Sequence, residues 1–133
     1  MTEKLYVVAD RIATVVFDEH GNTLDRCVYD AGHFRRLTRL EHIKKRARYL
    51  QQCQSVVEEY AQQFDQIFIG GVGDFALHLS AGLKLDTASK VVGVYDVQYG
   101  GQNGFNQLKT GLCDKTLNQK TFTSAAESKD QEK

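Results

Sequence analysis

The chain of 133 residues contains no proline and no tryptophan. The first absence excludes a proline-rich linker or a polyproline ligand. No apolar run approaches the ~18 residues that a membrane-spanning helix needs. Net charge is also missing: 17 Lys+Arg stand against 17 Asp+Glu, and the pI is about 6.9. That balance argues against a uniformly basic nucleic-acid coat and against an acidic solvating tail. Cys27, Cys53 and Cys113 are odd in number and far apart, so a disulfide framework is not expected. His20, His33, His42 and His78 form no H-E-x-x-H pattern and no His/Cys cluster, so no metal site is implied. Met1-Thr2-Glu3-Lys4 lacks the charged-then-apolar plan of a signal peptide. Together these absences predict a soluble cytoplasmic protein with no membrane partner.

What is present is one modest core, since apolar residues make up 41% of the chain. Leu5–Ala9, Ile12–Phe17 and Leu24–Tyr29 are β-branched or alternating and predict three strands, with a hairpin turn over Glu19–Asn22. Residues 30–36 break the pattern and form a loop. A long helix is predicted from about Leu37 to Phe64. Its core stripe runs through Leu37, Leu40, Ile43, Ala47, Leu50, Val57, Ala61 and Phe64. Gln66–Gly70 is a buried-type strand. Asp74 is placed to cap a short helix from Phe75 to Ala81. Leu83–Ser89 adds a helical turn, and Val91–Val97 is the last strand. A final helix runs from near Asn103 to Cys113. The remainder, 114–133, is polar and expected to be disordered. The order βββ-α-β-α-β-α predicts a mixed α/β sheet: an antiparallel meander, then α-β-α-β-α, a layout that resembles ribonuclease-H-like topologies.

The neutral total hides a segregation of charge. Between Arg35 and Arg48 lie Arg35, Arg36, Arg39, Lys44, Lys45, Arg46 and Arg48 against Glu41 alone, a net charge of +6. The rest of the chain is therefore net −6. A basic loop and helix edge suits phosphate backbones, which Lys and Arg position without reading sequence. A solvated helix face accounts for the same residues, although cations in a first helical turn oppose the macrodipole.

Gly71-x-Gly73-x-x-Ala76 lies between a predicted strand and helix, and Asp96 ends the next strand. This imitates a dinucleotide-binding fingerprint. The spacing is equally that of a glycine turn that lets a helix approach a strand closely, and the second half of a dinucleotide fold is absent. No Gly-Lys-Ser/Thr follows the glycines, so there is no P-loop. Ser55, Ser80 and the cysteines have no nucleophile elbow. No cofactor is implied.

The segment Ile67-Phe68-Ile69-Gly70-Gly71-x-Gly73-Asp74-Phe75 carries a more specific signal together with Tyr99-Gly100-Gly101-Gln102-Asn103-Gly104-Phe105-Asn106-Gln107. Both closely resemble the middle domain of eukaryotic and archaeal class 1 peptide release factors, whose equivalent segment reads Tyr-Gly-Gly-Glu-Asn-Gly-Phe-Asn-Gln. Pelota-type ribosome-rescue factors share that domain more distantly. The resemblance covers residues 4–113 in element order. It implies a hydrolytic Gly-Gly-Gln loop between the third strand and the long helix. Here that loop reads Gly32-His33-Phe34-Arg35-Arg36, without the glycines that aim an amide at developing charge or the glutamine that orients water. Gly100-Gly101-Gln102 is literally Gly-Gly-Gln, but by position it matches the structural turn into the last helix.

The resemblance therefore implies a stand-alone, degenerate release-factor middle domain without hydrolytic activity. It would bind the ribosome, tRNA or another structured RNA in termination, rescue or surveillance. Its phosphate contacts would be Arg35, Arg36, Arg39, Lys44, Lys45, Arg46 and Arg48, with His33 and Phe34 at the loop tip. The chain is too short for the family's codon-reading and GTPase-binding domains. Two alternatives remain: an adaptor for a protein partner that kept the fold, and an RNA or peptidyl-tRNA hydrolase using His33 as an acid/base.

Overall fold

A computed structural model describes residues 3–29, 38–115 and 117–119. The elements are β1 (Lys4–Ala9), β2 (Ala13–Phe17), β3 (Thr23–Val28), α1 (Arg39–Ala61), β4 (Gln66–Gly71), α2 (Phe75–Ala81), α3 (Leu85–Ala88), β5 (Val91–Asp96) and α4 (Gly101–Asp114). The strands form one sheet in the order β3-β2-β1-β4-β5. β1 and β2 pair antiparallel, as do β2 and β3, whereas β4 pairs parallel with both β1 and β5. This is the mixed α/β arrangement that the order of patterns predicts.

Residues Leu5 to Ala9 of the central β1 are all buried. Because side chains alternate across a strand, β1 supplies two cores. Leu5, Val7 and Ala9 pack with Val16, Ile67 and Ile69 beneath α1 and α2. Tyr6 and Val8 pack with Val15, Phe17 and Val97 beneath Phe105 and Leu108 of α4. The α4 face is closed by aromatic contacts. Phe105 meets Tyr6 edge-on at 5.3 Å and Phe17 at 4.9 Å between centroids, favoured geometries for such pairs.

Helix α1 departs from its predicted course. It starts at Arg39, two residues later than expected, because Thr38 and Glu41 form a capping box. The Glu41 amide donates to the Thr38 hydroxyl, and the Thr38 amide donates to Glu41 Oε1, each at 3.1 Å. The buried stripe is Tyr49, Cys53, Val57 and Ala61, which keeps the predicted Val57 and Ala61, with Leu50 and Phe64 partly buried beside it, but not the predicted residues nearer the helix start. Leu40 is 60% exposed and Ile43 is 55% exposed, and Ala47 is exposed too. The cause is length. A helix of 23 residues spans about 35 Å, and a strand of six residues spans about 20 Å. The sheet supports only the second half of the helix.

Smaller differences have local causes. In the hairpin only Gly21 takes a positive φ (+89°), because the Asp18 carboxylate fastens the turn by accepting from the His20 and Asn22 amides at 2.9 Å each. Asp74 stands at the N-cap of α2, but its side chain makes no capping bond. Helix α4 begins at Gly101 rather than Asn103, since Gly101 adopts φ +59° and admits the turn. Of the expected polar tail, residues 117–119 are described. They run beside β5, with the Asp96 amide donating to the Asn118 carbonyl and Gln119 bridging Tyr95.

Gly71 has a packing reason. A Cβ there would lie 2.5 Å from Ala76 Cβ and 2.9 Å from the Ala9 carbonyl oxygen. The glycine therefore sets how closely α2 approaches β4. Gly71→Ala is expected to destabilise the fold by about 1–3 kcal/mol through overpacking, read as a lower urea midpoint with an unchanged m-value.

Candidate nucleic-acid interface

The cations of α1 lie on its unsupported half. No residue from Thr38 to Arg48 is buried. Five of them, Arg39, Lys44, Lys45, Arg46 and Arg48, are basic, and Glu41 is the one acid. At 3.6 residues per turn, Arg39 and Arg46 point to the side of Cys53 and Val57. Lys44 and Arg48 point away from it, and Lys45 lies between. The charges thus surround the helix end rather than mark one face. Glu41 is committed to the capping box and places a negative charge at the helix start, where the macrodipole favours it. The remaining sequence-predicted residues, Gly32, His33, Phe34, Arg35 and Arg36, lie outside the described residues.

The helix is anchored where the overhang begins. The Tyr49 hydroxyl donates to the Asp10 carbonyl at 2.6 Å and lies 3.0 Å from the Thr14 hydroxyl. This ties α1 to the carboxyl end of β1. One turn along, Cys53 packs beside Cys27 of β3, and the Tyr60 hydroxyl donates to the Leu24 carbonyl at 3.0 Å. The Arg46 guanidinium lies 5.3 Å from the centre of the Tyr29 ring, within cation–π range. Burial raises the Tyr49 hydroxyl above its ordinary range. Burial, with the hydrogen-bonded Cys53 thiol beside it, pushes the Cys27 thiol from 9.0 to about 12. The three groups are held neutral as packing and hydrogen-bonding residues, not as nucleophiles.

Beside Tyr49 opens a cavity of about 510 Å³. Arg11, Arg46, Leu50, Phe75 and His78 line it with the edge of Tyr49. It lies past the carboxyl ends of β1 and β4. Sequence reasoning singled out Arg46 and named Phe75 as the end of the Ile67–Phe75 motif, but missed Arg11, which carries no motif and joins them only through the β1–β4 pairing. Gln54 was also missed. It sits in a run of polar residues, yet its amide donates to the His78 and Leu79 carbonyls at 3.3 Å each and ties α1 to α2.

The Tyr99–Phe105 motif builds the opposite layer. Gly100 is the N-cap of α4, and a Cβ on Gly104 would collide with the Tyr99 carbonyl. Phe105 is the core wedge described above. Gln107 Oε1 accepts from the Gln98 amide at 2.7 Å, and Gln102 and Asn103 face outward. Gly100-Gly101-Gln102 thus stands at the strand-to-helix turn, across the sheet from α1. No group of three or more His, Cys, Asp or Glu placed to hold a metal occurs among the described residues. No helix there is long and apolar enough to cross a membrane.

No family model and no curated protein matches the chain. Solved structures do match its fold. The crystal structure of Archaeoglobus fulgidus Pelota aligns with a TM-score of 0.59 at 18% identity, over 86% of this chain and 33% of that one. An archaeal protein aligns with a TM-score of 0.55 at 15% identity, over 79% of this chain and 32% of the other. The chain has a Pelota-like fold and spans about a third of the length of these structures.

The neutral Cys27 thiol makes stability depend on pH. Its folded pKa of about 12 lies above the ordinary 9.0, so its contribution is complete below pH 9. It is lost as pH rises toward 12, because the unfolded chain releases the proton first. The urea midpoint is expected to fall across that window, and less steeply in Cys27→Ala. Equal slopes in the two proteins would remove this role.

Proposed function

We propose that the protein binds structured RNA, of the ribosomal or transfer-RNA kind, through the basic half of α1. In this reading it is a release-factor middle-domain-like module acting in translation termination, ribosome rescue or surveillance. The observation that carries the reading is the overhang: five cations against one capped acid, on a helix end that the sheet does not cover. Guanidinium and ammonium groups around a helix end suit phosphates arriving from more than one strand. The Pelota-like fold is consistent with this theme, since the basic half of α1 follows the segment that takes the place of the Gly-Gly-Gln loop. With His33-Phe34-Arg35-Arg36 in that segment, the module grips RNA and does not hydrolyse peptidyl-tRNA.

A second reading has its own observation. Leu40 and Ile43 are more than half exposed on the same overhang, a feature that suits a protein partner. Salt separates the two. RNA binding is expected to weaken steeply with salt. Lys44→Gln with Arg48→Gln is expected to lower affinity for a tRNA or ribosome at least tenfold and to reduce the log–log salt slope by roughly 2. Fluorescence anisotropy measures both. Unchanged affinity and slope in the double variant would rule out the basic surface. Partner capture lost in Leu40→Ser/Ile43→Ser, yet indifferent to nuclease, would establish the adaptor.

A further inference from the structure

The cavity beside Tyr49 has the size, place and lining of a nucleotide site. Its volume of about 510 Å³ falls in the usual range for small-ligand pockets, roughly 300–1,000 Å³. It lies outside the carboxyl ends of two adjacent parallel strands, where open α/β sheets hold their ligands. Arg11 leaves the end of β1, and the turn after β4 brings Gly73, whose φ of +74° only glycine adopts freely and whose Cβ would meet no atom within 4 Å.

The lining divides by chemistry. Arg11, in the turn after β1, and Arg46, on α1, supply two cations. Leu50 and Phe75 supply an apolar wall, and Phe75 is stacked on Tyr49 at 5.2 Å and 24°, with Tyr49 fixed in turn by its bond to the Asp10 carbonyl. The ring is therefore held in place before any ligand arrives. The carboxylate of Asp74 makes no capping bond to α2 and stands on the cavity rim, where it suits the amino edge of a base. Paired cations, a fixed aromatic and a hydrogen-bond acceptor are the groups that take up an unstacked nucleotide. Helix α2 has only seven residues and adds no anion site of its own.

We propose that this cavity receives one unpaired nucleotide of the bound RNA, its phosphate toward Arg11 and Arg46 and its base against Phe75. The assignment rests on the RNA reading above, because Arg46 belongs both to the basic overhang and to the cavity wall. It adds a preference: the overhang alone grips any duplex, whereas the cavity favours RNA with a base free to leave the stack.

The test compares two hairpin RNAs, one fully paired and one carrying a single bulged 2-aminopurine. The bulged RNA is expected to bind about tenfold tighter, as stacking one base on an aromatic allows, and its 2-aminopurine is expected to be shielded from acrylamide in the complex. Phe75→Leu and Arg11→Gln are each expected to abolish both the preference and the shielding while paired-RNA affinity stays within about twofold. Arg11 is exposed, so its variant remains informative if loss of the Phe75 ring disturbs folding. Equal affinity for the two RNAs, or a preference that survives both variants, would overturn the cavity assignment and leave the basic overhang standing. No binding of either RNA would remove both. Micromolar binding of free adenosine monophosphate without any preference between the RNAs would assign the cavity to a free nucleotide and overturn the RNA source.

Discussion

Everything else in this molecule depends on the burial of β1 from both sides. A strand with polar residues on one face cannot be covered by helices on two. Leu5–Ala9 has none, and its alternation feeds both cores at once. Parallel pairing with β4 then demands a crossover connection, which α1 supplies, and antiparallel pairing with β2 holds the other side. The Asp10 carbonyl, just past the end of this strand, and the Thr14 hydroxyl of the neighbouring β2 are satisfied by Tyr49. That satisfaction fixes where α1 crosses the sheet and where it leaves it.

The position of Tyr49 turns a length mismatch into a surface. The helix is longer than the strands it crosses, and its excess lies at the amino end. Apolar residues there, Leu40 and Ile43, lack a sheet to cover them, and none of the cations around them is buried. The capping box keeps the overhang helical at its start, beyond the reach of the sheet, which matters because helix ends fray. The cavity follows from the same crossing, since it is the space left between the departing helix, the end of β1 and the turn into α2.

Much of the fold was legible in the chain. The strands announced themselves by β-branched runs and alternation, the hairpin by Gly21, and the final helix by the Gly-rich entry before Phe105. Thr38-Arg39-Leu40-Glu41 also spells the start of α1, because a Thr three residues before a Glu is a capping box in sequence form. The core stripe of α1 was less legible. Periodicity finds Leu40, Ile43 and Ala47 as readily as Val57 and Ala61, and it gives no weight to Tyr49 and Cys53. Hydropathy along a helix records which residues can be buried, and burial also needs an opposing surface.

By itself, the sequence determined the class of fold, the segregation of charge onto one segment and the absence of a Gly-Gly-Gln triplet from the segment before α1, since each is a matter of local pattern or composition. Only the tertiary structure decided which half of α1 is supported. It also brought Arg11 to Arg46, Phe75 to Tyr49 and Gln54 to α2, and it set Gly100-Gly101-Gln102 on the opposite face from the basic helix. The physical reason is the same in each case: these relations run through the parallel β1–β4 pairing, a contact between segments some sixty residues apart that no local signal encodes.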